Sequence, residues 1–98
     1  MPQLTIVYWR DIPAQAIVGR GRAAVKVPLP ERFEQAIDRC AMKVGAHGDD
    51  AYMGEWRKGP PEEIAGESAD IARDAAARLD ADYDTERLRA LIANDGWA

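Results

Sequence analysis

One cysteine, one histidine, one serine and no long apolar run leave this 98-residue chain few routes to chemistry. Cys40 has no partner for an internal disulfide, which fits a reducing cytoplasm. With His47 as the sole histidine, the Cys/His clusters of structural zinc are excluded. No apolar stretch approaches the ~18 residues of a membrane span, and Met1-Pro2-Gln3-Leu4 does not read as a secretory signal. A phosphate-cradling Gly-x-x-x-x-Gly-Lys-Ser/Thr loop is missing. Gly19-Arg20-Gly21 resembles the start of a dinucleotide loop but lacks the third glycine and the helix that should follow. Ser68 has no adjacent base, and Asp49/Asp50 and Glu62/Glu63 are neighbours whose side chains diverge. No cofactor is implied, and no catalytic constellation assembles, so the chain reads as a non-enzyme.

What is present is one ordinary globular domain. Apolar residues make up 47% and charged residues 31%, outside the range of disordered chains. The net charge of −4 is unevenly spread. Residues 1–58 hold nine Lys/Arg against seven Asp/Glu, whereas residues 59–98 hold four against ten. The first span reads as an α+β core and the second as an acidic, alanine-rich helical segment of the same domain, its charge a solvated face.

Leu4 to Trp9 is β-branched and aromatic, and its near-continuous apolarity predicts a central strand covered on both faces. Asp11-Ile12-Pro13 breaks it, and Ala14 to Val18 reads as a second strand joined as a hairpin. Gly19 to Arg22 is a turn, and Ala23 to Leu29 is extended or irregular. Phe33, Ala36, Ile37, Cys40, Ala41 and Val44 form an apolar stripe at helical spacing that starts after Pro30 and stops at Gly45. The stripe is expected to pack on Ile6 and the hairpin, with Cys40 as a small buried hydrophobe. Ala51 to Arg57 reads as a third strand. From Glu62 the pattern is helical, with Ile64, Ile71, Ala72, Ala75, Leu79 and Tyr83 on one face and Gly66 weakening its first turn. Asp82 or Asp84 caps a last short helix, or one helix runs straight through. The order β-β-α-β-α, with that further helix left open, predicts a three-stranded sheet with helices packed on it.

Two places hold functional candidates. Tyr8, Trp9, Arg10 and Asp11 end the first strand, and Trp56 stands near a later one. An Arg10/Asp11 ion pair would pin the hairpin, whereas exposed Tyr8, Trp9, Arg10 and Trp56 would suit a partner surface, where such residues concentrate binding energy. The Arg20/Arg22 turn, with Lys26, Arg57 and Lys58, would offer backbone N–H groups and cations to an anion, or would simply be solvated. Trp97 either packs back on the domain or belongs to an interface.

Ile6-Val7-Tyr8-Trp9-Arg10-Asp11-Ile12-Pro13-Ala14-Gln15, Leu29 to Asp38, and Asp50-Ala51-Tyr52 with Glu55-Trp56-Arg57 together resemble the small bacterial family labelled virulence factor. The resemblance covers about residues 4–58 and leaves out the alanine-rich tail. It carries no catalytic residues, and it implies an accessory subunit linked to one-carbon and methyltransferase metabolism. Together these readings point to a non-catalytic, cytoplasmic protein-interaction module with a protein partner or a second copy of itself. The alternative is an anion- or nucleic-acid-binding module built on Arg20 and Arg22; neither reading involves a membrane. Nucleic acid is disfavoured because basic residues are few and scattered.

Overall fold

The computed structural model of the chain describes residues 2–45 and 52–98. The readings placed on His47, Asp49 and Asp50, and the first residue of the expected third strand, Ala51, lie outside the described residues. The fold is α+β, with the expected N-terminal hairpin formed by β1 (Gln3–Trp9) and β2 (Ile12–Val18). A 3-10 turn at Gly21–Ala23 leads into β3 (Val25–Pro28), followed by α1 (Glu31–Lys43), β4 (Trp56–Lys58) and β5 (Glu62–Glu63). The chain finishes with α2 (Ser68–Asp82) and α3 (Thr85–Ala93).

The sheet is larger than expected. Its order is β3-β2-β1-β4, and β5 also pairs with β1, all antiparallel. The irregular stretch therefore supplies a strand, and the supposed first turn of the acidic helix supplies another. Ile64 lies outside α2 and packs beside Leu4 and Ile71. The helix start moves to Ser68 because Gly66 holds φ +133, a conformation reserved for glycine that halts a helix. The expected third strand is likewise shorter, with Tyr52 and Met53 helical and only Trp56–Lys58 extended.

The hairpin turn is Arg10-Asp11, so β2 begins earlier than expected and includes Pro13. Pro13 is tolerated because the register slips there: Val7 pairs with Gln15 and Tyr8 with Pro13, leaving Ala14 unpaired at a bulge.

Strand alternation puts Leu4 and Ile6 on one face of β1 and Thr5, Val7 and Trp9 on the other. Leu4, Ala16 and Val18 meet Ile71, Ala72 and Ala75 of α2, with Ile6 packed against them. Trp9 and Ile12 meet Phe33, Ile37 and Cys40 of α1, with Leu88 and Leu91 of α3 closing that cluster. The predicted apolar stripe of α1 is buried, but against Trp9 and Ile12 rather than Ile6. Positions three apart on a strand point to opposite faces, so one helix does not take both. Cys40 is fully enclosed, and burial pushes its thiol up, against weaker help from Arg10.

The helical tail is two helices. Asp84 caps α3 by accepting from the Arg87 backbone N–H at 2.8 Å. Side chains of α1 then close both helix ends. Arg32 donates to the Asp80 and Tyr83 carbonyls behind α2, and Lys43 donates to the Ile92 and Ala93 carbonyls at 2.9 Å behind α3. Cations there complement the helix dipoles.

Candidate functional site

The hairpin tip is held by residues far away in sequence. Arg10 adopts φ 53, an unusual left-handed conformation for a side-chain-bearing residue. Its N–H donates to the Glu55 carbonyl at 3.1 Å, and its carbonyl accepts from Arg57 Nε at 2.9 Å. The guanidinium lies between the Trp9 and Trp97 rings, 5.2 Å from each centroid, and donates to the Asp95 carbonyl. Its buried Nε lies 3.3 Å from Glu55 Oε2 without the alignment of a hydrogen bond.

Asp11 does not pair with Arg10. It accepts from Arg57 at 2.7 Å and from the Ala98 backbone N–H at 2.7 Å, while its own N–H donates to the Gly96 carbonyl at 2.8 Å. Trp9, one of the candidate surface residues, is fully buried and donates its indole N–H to the Tyr52 carbonyl at 3.0 Å. Tyr8 is half-buried under the Arg57 guanidinium, 4.6 Å from the ring centroid, and burial first, then Tyr83, raises its phenol. Trp97 packs back across Arg10, leaving 44% of its surface exposed. Of the group proposed for a partner, Trp9, Arg10 and Asp11 are thus engaged within the domain.

The Ala98 N–H, foremost, and the Arg57 guanidinium hold the Asp11 carboxyl below the usual carboxylate range, outweighing the desolvation that opposes them. A carboxylate with a lowered folded-state pKa contributes stability that is present above its unfolded pKa of about 4 and lost as pH falls through the folded value. Acid titration of the wild type should therefore release the 94–98 segment from the hairpin tip. Asp11→Asn should flatten that part of the unfolding profile below pH ~4, and an unchanged profile would contradict this assignment.

The second candidate group fares differently. Arg20, Lys26 and Lys58 come together around a groove of about 540 Å³ at the end of the sheet away from the hairpin turn. The register explains why. Thr5 pairs with Ile17 and Ile17 with Lys26, so all three side chains share the Val7 face, where Lys58 stands opposite Val7. Gln3, Thr5, Ile17 and Gly59 are among the uncharged residues that make up the rest of the lining, and no carboxylate is part of it. Among the described residues Arg20, Lys26 and Lys58 enter no ion pair, and Arg20 reaches only the Gln3 side chain at 3.3 Å. Glu63 borders an adjoining hollow beside Arg20 and Gln3.

Two residues predicted for this group do not join it. Arg57 turns to Asp11 and Tyr8, and Arg22 sits exposed on the 3-10 turn outside the groove lining. Gln3, Thr5 and Gly59 were absent from the expected set. A third feature, a cavity of about 280 Å³ between the sheet and α1, is lined by Tyr52, Trp56 and Glu34 with Val7, Leu29 and Ile37.

The family described as virulence factor matches residues 7–92, from the end of β1 through β2, β3, α1, β4, β5 and α2 to most of α3. The chain belongs to the virulence factor family. The match extends well beyond the segments that carried the resemblance, so the alanine-rich tail is part of what defines a virulence factor domain. That is consistent with α2 and α3 supplying Ile71, Ala75, Leu88 and Leu91 to its core. No curated protein and no solved structure matches the chain. Among the described residues of this virulence factor domain, no helix is long and apolar enough to cross a membrane, and no group of three or more acidic, His or Cys side chains could hold a metal ion.

Proposed function

We propose that this domain is a non-catalytic accessory module of the cytoplasm that docks an acidic protein segment in the groove between Arg20, Lys26 and Lys58. One observation carries the reading: three cations line one groove without a carboxylate in its wall, in a chain whose net charge is −4. Three cations around one groove with no acid in its wall raise the local positive potential, which attracts a partner of opposite charge. The extended backbone of the sheet and the uncharged Thr5, Ile17 and Gly59 between the cations suit a short peptide strand. Nucleic acid fits less well, because three cations on one short groove are few against the extended basic face such a polyanion engages.

A hexaglutamate peptide is the direct probe. Exposed charge pairs contribute roughly 0.2–1 kcal/mol each, so binding should be weak and should fade as the Debye length shrinks from ~10 Å at 0.1 M salt to ~3 Å at 1 M. Lys26→Glu combined with Lys58→Glu should weaken binding at least about tenfold while the circular dichroism spectrum is kept. Arg22→Glu, outside the lining, should change it much less. Equal losses from both substitutions would reduce the effect to net charge and remove the groove from the reading. Binding of an oligonucleotide in preference to hexaglutamate would replace an acidic protein with a nucleic acid.

A further inference from the structure

The cavity between α1 and the sheet combines two features seldom found together on an otherwise structural surface. Tyr52 and Trp56 stand at right angles, with an interplanar angle of 81° and centroids 5.9 Å apart, and both line the space. Glu34 of α1 lines it as well, and among the described residues Glu34 has no ion-pair partner. Val7, Leu29 and Ile37 supply an apolar floor. The electrostatics agree with the geometry: after burial, the charges of Asp38 and Glu34 are what push the Tyr52 phenol up.

We propose that this cavity binds a small organic cation of the methylated-ammonium class. An aromatic ring attracts a cation placed within about 6 Å of its centroid through the negative potential of its face. Two rings in the lining give such a cation two aromatic neighbours, and the Glu34 carboxylate in the same lining adds a charge contact. Methyl groups on the nitrogen match the apolar floor, where a bare ammonium would lose its water without replacement. The volume of about 280 Å³ limits the occupant to a compact head group. An anion is disfavoured by Glu34 and Asp38, so this site and the basic groove select opposite charges on one sheet face. The assignment does not depend on the acidic-peptide reading, because none of Arg20, Lys26 or Lys58 lines the cavity.

The test uses the full chain and tetramethylammonium chloride, followed through the indole N–H resonances, with Trp56 identified by the signal lost in Trp56→Phe. Sodium chloride at matched concentration controls for ionic strength, and tert-butanol serves as the neutral isostere. The Trp56 signal should shift saturably with tetramethylammonium, and about tenfold more weakly or not at all with tert-butanol. Glu34→Gln, an exposed change on α1, should keep the dispersed spectrum and weaken binding about threefold to tenfold. A shift that never saturates, equal affinity for tert-butanol, or unchanged affinity in Glu34→Gln would each overturn the assignment.

Discussion

Trp9→Ala should unfold the domain or bring it close to unfolding. Trp9 is the largest side chain with no exposed surface, and it joins the α1 cluster through Phe33, Ile37 and Cys40. Removing a buried aromatic to alanine costs about 3–5 kcal/mol, and the stability of a small domain is of order 5–15 kcal/mol. A second loss follows, since the Tyr52 carbonyl no longer receives the indole N–H. Because that bond ties the hairpin to the segment carrying Tyr52 and Trp56, the damage should extend to β4. Trp9→Phe restores most of the volume but not the bond, and should recover more than half of the loss. Urea unfolding of the three proteins checks the order, and a Trp9→Ala variant as stable as wild type would mean that Trp9 is not a core residue.

Gly96→Ala should be the next most damaging change, although it adds a single methyl group. Gly96 holds φ +91, where a Cβ is strained, and it is buried. That Cβ would stand 3.0 Å from Arg10 Cδ, 3.2 Å from Arg10 Cβ and 3.2 Å from Cys40 Sγ. Neither neighbour yields easily, because Arg10 is fixed between two tryptophans and Cys40 is enclosed. Backbone strain and overpacking together give an expected cost of about 2–4 kcal/mol. The signature should be local as well as global. Losing the Gly96 carbonyl contact to Asp11 frees Trp97, so its fluorescence should become more solvent-exposed before the domain unfolds. A variant with wild-type stability and unchanged Trp97 emission would show that the 94–98 segment does not clamp the hairpin.

The parts of the fold that could be read from sequence are those encoded locally. The β-branched, near-continuously apolar run Leu4 to Trp9 carries strand propensity, the six-residue stripe carries a helical period, and both elements form. Asp84 was visible as one of two possible caps. What stayed hidden depends on distant partners. Glu62 and Glu63 have no strand propensity and extend only because Gln3 and Leu4 pair with them. Pro13 reads as a strand breaker, yet it pairs with Tyr8 beside a bulge, where strands tolerate proline. Trp9 and Arg10 carry the composition of an interface hot spot, and only the packing of Trp9 on α1 with its bond to Tyr52, and the return of residues 95–98 to Arg10, show that they are consumed internally. The basic groove was partly legible, since Arg20, Lys26 and Lys58 were flagged by their charge. Separating Lys58 from Arg57 required the strand register, which places alternate residues on opposite faces, and separating Arg20 from Arg22 required the path of the 3-10 turn.

That register also supplies the most direct test of the central claim, that this virulence factor domain engages acidic segments through the open end of its sheet. Hexaglutamate titrated into the isotopically labelled chain should shift backbone amides of Thr5, Ile17, Lys26, Lys58 and Gly59, and the shifts should vanish at high salt. Amides of Arg10, Asp11 and Gly96 at the hairpin tip should stay still. Shifts centred on the hairpin tip, or spread evenly over every lysine and arginine, would contradict the account.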